Sequence, residues 1–383
     1  MEEHSKVSIV ACSTYDEEAV YDAVCKGIDA LGGIGKFVSP DENILVNPNF
    51  LKTADVNSAV ATHPAVLKAV LRLLYEYGCR KTVYGDSPGN GTGAKVADKL
   101  EIDRSEPIYG AEFVPMTKEV RTEFPDGMTE KEFYFAEEVT KADSIINVCK
   151  MKTHALMLIT GAVKNPFGLI CGHRKAMQRV KYPNASLFAR MLVDIHRCVP
   201  LRLHIMDGIV AMEGNGPGAG NPRPMNLLLF STDPVAIDTI FCHLIGIDPA
   251  DVPTNFQGDA MGIGTMDKGK IDIILTDESG THPEDFDQFC EKYGVPDFNT
   301  ICTKAHPEFK GLKLIDKLSS RPVINKKKCV LCGVCVDHCP VPGKAVTFAD
   351  GRDKPPVYDY SKCIGCFCCQ ELCPQKAIEV GRR

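Results

Sequence analysis

Residues 44–86 read ILVNPNFLKTADVNSAVATHPAVLKAVLRLLYEYGCRKTVYGD. The apolar run at 44–50 reads as a strand running into a Pro-Asn turn. From 62 to 78 apolar residues recur at helical spacing, behind a threonine cap and a proline and ahead of a closing glycine. KTVYGD then starts another strand. Strands alternating with long helices argue a mostly parallel sheet covered by helices on both faces, an α/β fold.

Working outward, the same alternation continues. Upstream, VSIVAC at 7–12 is a strand, and Asp16-Glu17-Glu18 opens a helix with Ala19, Val20, Ala23, Val24, Ile28 and Leu31 on one side, stopped by Gly32-Gly33. Downstream, GDSPGNGTGAK at 85–95 puts four glycines between a strand and a helix. Such a loop either brings backbone N–H groups to an anion or simply turns tightly. It is neither a Walker loop nor a dinucleotide fingerprint, because Ala94 stands where lysine is needed and the glycine spacing is wrong. Asp86 and Ser87 lie beyond a strand's carboxyl end, where open sheets place ligands. Residues 111–140 read as a hairpin followed by a helix, and IDIILTDE at 271–278 as a last strand.

The chain has 383 residues, 44% apolar content and a net charge of −6, so it is expected to be a soluble protein of more than one domain. No apolar run approaches a membrane span of about 18 residues, and MEEHSKVSIVAC lacks the pattern of a signal peptide. A cytoplasmic location is expected. The basic stretch described next has no interleaved aromatics and the whole chain is acidic, which argues against nucleic acid.

Residues 145–182 contain no acid, but carry Lys150, Lys152, Lys164, Arg174, Lys175, Arg179 and Lys181 with His154 and His173 beside them. That asymmetry makes a local positive field. Arg174 to Lys181 read as a solvated face. Lys152 and His154 follow a buried-type strand, and Lys164-Asn165 sit in an apolar context where an unpaired ammonium is costly. Lys164 is therefore expected to meet an anion, either a protein carboxylate or a ligand. At 205–222, Asp207 ends a strand and opens a glycine-rich loop bearing Glu213 and Asn215. Asp233 reads as a helix cap, while Asp238 is expected to face Lys164 or solvent. Glu213 has no structural excuse of that kind and is a candidate site residue.

Beyond 278 the composition shifts, from acids in SGTHPEDFD to lysines in TKAHPEFKGLKLIDKLSSRPVINKKK. Three regions follow: 1–278 as the α/β domain, 279–320 as a connector, and 321–383 as a small C-terminal α+β domain. In that last region, CVLCGVCVDHCP at 329–340 and CIGCFCCQELCP at 363–374 both read C-x2-C-x2-C-x3-C-P, the spacing that holds a [4Fe–4S] cluster. The fourth cysteine of each run ligates the other cluster. Cys329, Cys332, Cys335 and Cys373 are thus expected around one, and Cys363, Cys366, Cys369 and Cys339 around the other. Cys368 falls outside the register and is expected to pack beside the ligands rather than join them. Zinc sites and disulfide frameworks do not need two matched runs of four cysteines.

From Val323 to Val380 the chain resembles the bacterial two-cluster ferredoxins, which implies single-electron transfer at low potential. The loop from Val341 to Lys362 departs from them in its length. LVNPN, ATHPAVLKAV, YGDSPG, KMKTH, TGAVKNPFG, MDGIVAMEGNGP and STDPVAID together resemble an α/β family catalogued as domain of unknown function 362, often fused to a ferredoxin module. The resemblance covers about residues 8–275 and implies a redox role without a substrate. Asp86, Lys152, His154, Lys164, Asn165, Asp207 and Glu213 fall in its recurrent polar positions.

The expectation is an iron–sulfur oxidoreductase with two [4Fe–4S] clusters. They receive electrons from a redox protein and pass them to an anionic small molecule at the strand ends. Lys152 and Lys164 bind or polarise the anion and His154 delivers the proton, with Asp86, Ser87, Asn165, Asp207 and Glu213 completing the pocket. Rival readings are a pure electron carrier and a metal-handling factor with His154, Asp207 and Glu213 as ligands. A flavin is not indicated, though many flavin sites leave no short motif. Low-potential clusters are oxygen-labile, which suits an anaerobic host.

Overall fold

The computed structural model describes residues 4–89, 91–300, 320–349 and 351–382. Its large sheet begins with β1 (Ser5–Ala11), β2 (Ile44–Pro48), β3 (Thr82–Tyr84) and β4 (Glu112–Phe113). A separate hairpin, β5 (Glu119–Glu123) and β6 (Glu132–Ala136), precedes β7 (Ser144–His154), β8 (Leu158–Thr160), β9 (Leu201–Glu213) and β10 (Asn221–Ser231). The sheet closes with β11 (Ile271–Asp277) and β12 (Gly280–Glu284), in the order β12-β11-β1-β10-β9-β7-β2-β3-β4, with β8 on β7. Pairings β9-β7-β2-β3-β4 are all parallel, as is β1-β11, and antiparallel pairing enters through β10, β8 and β12. The sheet is mostly parallel, as the strand–helix alternation predicts.

Alternate residues of the strands feed separate cores. Val46, Ile146, Val148, Leu228 and Phe230 face one side, where α1 (Glu17–Ala30), α2 (Pro64–Tyr77) and α3 (Gly93–Lys99) cover them. Leu45 and Ile145 face the other, as do Cys149, Leu227 and Leu229. That face is covered by α6 (Ala185–Cys198) and α7 (Pro234–Leu244), and by α9 (Phe286–Tyr293) through Phe286 and Phe289. Two-sided burial explains the apolar runs of the strands. It also explains why β7 is buried along its whole length although it contains two lysines and a histidine.

The helix ends follow local chemistry. Asp16 caps α1 by accepting from Ala19 N at 3.0 Å, and Gly78 ends α2 at φ 106°. The expected Thr62 cap of α2 is corrected: His63 Nδ1 accepts from Ala65 N, while the Thr62 hydroxyl donates to Val148 O at 2.7 Å. The expected hairpin and helix of 111–140 are β5-β6 and the short α4 (Glu137–Lys141).

The connector expected from 279 starts later, because β12 extends the sheet and α9 packs beneath it. Residues 301–319 of that expected connector lie outside the described residues. The small domain then pairs β13 (Ser320–Ile324) with β16 (Ile378–Arg382) and carries two short helices, α10 (Val334–Asp337) and α11 (Cys368–Leu372). Within the 341–362 loop, β14 (Val346–Thr347) and β15 (Val357–Tyr358) form a minimal ladder. The glycine-rich loop after β9 clasps this domain: Gln370 Nε2 donates to Asn215 O, Asn215 Oδ1 and Gly216 O at 2.9–3.1 Å, and Asn215 Nδ2 donates to Ile378 O at 3.0 Å. Lys52 and Lys376 add contacts to Cys373 O and Gly220 O, both at 3.3 Å. The small domain is therefore seated on the carboxyl ends of the parallel strands.

Candidate functional site between the strand ends and the cysteine domain

A cavity of about 560 Å³ lies where the two domains meet, a size suited to a small organic molecule. The large domain contributes the loops after β2 and β3, the turn at 164–168, and α5 (Gly172–Lys181); the small domain contributes Cys339, Cys368 and Glu371. Placement beyond the strand ends is where α/β sheets bind ligands.

Four predicted residues line it: Asp86, Ser87, Lys164 and Asn165. Asp86 Oδ2 accepts from Phe50 N at 2.6 Å, and its Oδ1 has no hydrogen-bond partner among the described residues. Burial raises the Asp86 pKa, while Lys175 and the backbone donors oppose the rise. Ser87 Oγ accepts from Gly172 N at 2.8 Å and so ties the loop after β3 to the start of α5. Lys164 is nine-tenths buried, and no carboxylate among the described residues lies within ion-pair distance of its ammonium. Burial brings its pKa down to about 8, against the pull of Glu371.

Four other predicted residues are turned away from the cavity, and the structure corrects their roles. Lys152 Nζ donates to Asn49 Oδ1 at 2.6 Å and Val60 O at 2.7 Å; burial and the neighbouring lysines push its pKa well below the usual lysine value. Through Asn49 it anchors a buried chain of amides, Asn49 to Asn165 at 2.8 Å and Asn165 to Asn147 at 2.7 Å, ending on His204. Lys152 thus fixes two cavity-lining amides without reaching the cavity itself. His154 Nδ1 accepts from Leu156 N and Met157 N, which leaves its proton on Nε2, 3.2 Å from Glu371 Oε1. Burial lowers His154 to about 3, so it is neutral; its Nε2 stands near Glu371 without completing a hydrogen bond among the described residues, and it does not reach the cavity to deliver a proton.

Asp207 is fully buried and bound by Lys150 at 2.7 Å, Tyr15 OH at 2.9 Å and His63 N at 3.0 Å. Glu213 accepts from Asn299 N at 2.9 Å. His154, Asp207 and Glu213 therefore have separate partners and form no common metal site. Among the described residues no three His, Cys, Asp or Glu side chains stand close enough to hold a single metal ion. Asp233 caps α7 as expected, accepting from Val235 N and Ala236 N at 2.8 Å. Asp238 faces neither Lys164 nor solvent but accepts from Ala162 N at 2.6 Å and Val163 N at 3.1 Å, which holds the turn that leads to Lys164.

The basic helix is also different from its expected solvated face. Arg179 is almost fully buried, with Nη2 3.1 Å from Glu371 Oε1, and Lys175 donates to Ser87 O at the cavity wall. Arg174 and Lys181 instead pair with Glu119 and Glu130. Burial alone would raise the Glu371 carboxyl, but Arg179, His154 and Lys164 hold it below the usual carboxylate range. Glu371 escapes a reading of the second cysteine run for spacing alone. The available signal was helical: Cys368, Glu371 and Leu372 share one face of α11, and Gly172, Lys175, Ala176 and Arg179 share one of α5.

The eight cysteines gather as their spacing predicts. Cys329, Cys332, Cys335 and Cys373 surround one hollow, and Cys339, Cys363, Cys366 and Cys369 a second. None of the seventeen cysteines among the described residues is in a disulfide. Donors point at the sulfurs: Ala345 N to Cys339 Sγ and Ala377 N to Cys373 Sγ at 3.3 Å, and Tyr358 OH to Cys369 Sγ at 3.1 Å. Such donors stabilise thiolate charge, and each hollow is framed by four sulfurs, so the residues fit [4Fe–4S] clusters. Cys368 belongs to neither hollow and lines the large cavity with Cys339.

The family Domain of unknown function (DUF362) matches residues 44–243, and a 4Fe-4S dicluster domain matches 321–374. A thylakoid-associated protein of Synechocystis sp. is 33% identical over 264 residues, covering 67% of this chain and 79% of that protein. Among solved structures, a protein of Thermotoga maritima is 16% identical with a TM-score of 0.32, covering 54% of this chain and 53% of that one. The lactate racemase apoprotein of Thermoanaerobacterium thermosaccharolyticum is 12% identical with a TM-score of 0.37, covering 56% and 51%. This chain thus spans about half the length of either structure. The small domain is an iron–sulfur electron-transfer domain of the ferredoxin kind. Among the described residues no helix is long and apolar enough to cross a membrane. With half its length matched and a relative aligned over most of that relative's own sequence, the chain belongs to the Domain of unknown function (DUF362) family, joined to a 4Fe-4S dicluster domain.

Proposed function

We propose that the protein is an oxidoreductase in which two [4Fe–4S] clusters, filled by a redox protein, deliver electrons to an anionic organic molecule in the inter-domain cavity. One observation carries this reading: Cys339 belongs to the second cysteine set and also lines the cavity that holds Lys164. The clusters supply single electrons, two when both are reduced. Cys329, Cys332, Cys335 and Cys373 hold the first, and Cys339, Cys363, Cys366 and Cys369 the second.

The chain's own residues supply binding and the proton. Lys164 and Lys175 bind the anionic group, and Asn165 orients it through the amide chain anchored on Lys152. Lys164, brought down to about 8, is charged near neutrality yet loses its proton readily, as a general acid requires. Arg179 keeps Glu371 ionised and fixed at the cavity wall. Asp86 offers its unpartnered Oδ1 to a donor group of the bound molecule.

The test uses anaerobically reconstituted, chemically reduced protein mixed with a panel of small carboxylates and phosphate esters. At least one anion is expected to reoxidise the clusters. Lys164→Ala should slow that step at least about tenfold, the effect of a removed acid or charge, with cluster absorbance intact. Reoxidation by redox proteins alone would instead make the chain an electron carrier whose large domain is a docking module, and an unaltered rate in Lys164→Ala would remove that lysine from the mechanism.

A further inference from the structure

The two cysteine sets differ in exposure. In the second, Cys339, Cys366 and Cys369 are buried, and Cys339 faces the cavity; in the first, Cys332 is exposed. Val330, 57% exposed, lines the same hollow as Cys332, and Val357, 51% exposed, follows Pro356 of that lining. Lys326, Lys327 and Lys328, all exposed, immediately precede Cys329 of the same set, and among the described residues only Lys328 of the three has an acidic partner, Glu379 at 3.0 Å. Arg352 adds a further charge, lying over Phe348 with its guanidinium against Gly333, next to Cys332.

This local charge is opposite to that of the chain. From residue 321 onward there are eleven lysines and arginines against six acids, in a protein whose net charge is −6. An apolar centre with a mainly basic surround is an arrangement that steers a transient acidic partner and lets it leave quickly.

We infer that the face around Cys332, with Lys326–Lys328 and Arg352, is the electron entry, docking a small acidic one-electron carrier protein. The carrier is oxidised by one electron and the outer cluster reduced by one; a second encounter supplies the next, and the inner set passes both toward the cavity. This rests on the cluster assignment above, and the two fail separately. If a deazaflavin photoreductant cannot reduce reconstituted protein, the cluster assignment fails. If it reduces the protein normally but the charges are irrelevant to a carrier, the docking face fails.

The probe is an acidic plant-type [2Fe–2S] ferredoxin. Calorimetry with both proteins oxidised reads binding without turnover, and stopped flow with reduced ferredoxin reads transfer. Lys326→Glu/Lys327→Glu/Lys328→Glu should raise Kd at least about tenfold, and wild-type transfer should slow steeply with salt, as steered encounters do. Photoreduction should stay unchanged. The milder glutamine triple variant, expected to lose affinity in part, serves if the glutamate variant does not load clusters. Unchanged Kd in both variants, or transfer that quickens with salt, would overturn the proposal. So would phosphatidylglycerol vesicles binding this face while the ferredoxin does not, which would reassign it to a membrane surface.

Discussion

At the scale of single residues, burial decides which charges act on a ligand and which support others. His154 and Lys152 looked like chemistry because they follow an apolar strand, yet both are spent on internal partners, and Lys164 alone of the three reaches the cavity. The buried histidines also set a pH dependence. His154 is held at about 3 and His204 well below its usual value, both by burial. An unfolded histidine near 6.5 binds a proton that the folded one refuses, so stability is full above about pH 6.5 and is lost as pH falls toward the folded values. Between about pH 7.5 and 5.5 the urea midpoint should drop by the equivalent of about 1 kcal/mol for each of the two, and His204→Gln should flatten the slope. Flat midpoints in the wild type would show these rings to be charged. Sequence alone could flag His154 and Lys152 as unusual, because a polar residue in a buried strand is costly. It could not show which buried neighbour answers them, since Asn49, Val60 and Glu371 are brought there by the fold.

At the scale of elements, the cavity depends on close approach between the loop after β3 and the turn at 164–168. A β-carbon at Gly168 would lie 2.0 Å from Asp86 Oδ1, and one at Gly172 would lie 2.5 Å from Pro88 O. Gly168→Ala should therefore displace Asp86, destabilise the protein by about 1–3 kcal/mol, and weaken anion binding. An alanine variant with wild-type stability and binding would mean the two segments are not in contact. The strand–helix alternation around residues 44–86 was legible because period-2 and period-3.6 patterns are local. The glycine-rich stretches at 85–95 and 214–220 were visible as loops, but their use was not. The first does line the cavity, whereas the second is a clasp for Gln370, a contact more than 150 residues distant in sequence. Helix α5 was misjudged for a related reason: four formal charges suggest a wet face until an acid from another domain arrives.

At the scale of the whole molecule, the cysteine domain covers one side of the cavity. Its own apolar core is small and consists largely of the motif cysteines with Ala345, Val346, Ala377 and Ile378, so cluster binding is expected to supply much of its folding free energy. Chelation of iron under anaerobic conditions should therefore raise amide exchange across residues 320–382 while the β7 and β9 amides stay protected. Equal protection with and without iron would show that the domain folds without its clusters. The gathering of the eight cysteines into two sets of four was legible from their spacing along the chain. That the second set looks into the cavity was not, because the seating of one domain on another leaves no local pattern.

The most direct test of the account is an anaerobic crystal structure of the reconstituted protein. It should show one cubane on Cys329, Cys332, Cys335 and Cys373, another on Cys339, Cys363, Cys366 and Cys369, and an anionic molecule between the second and Lys164. A second set without a cubane, or a cubane walled off from the cavity by protein, would contradict it.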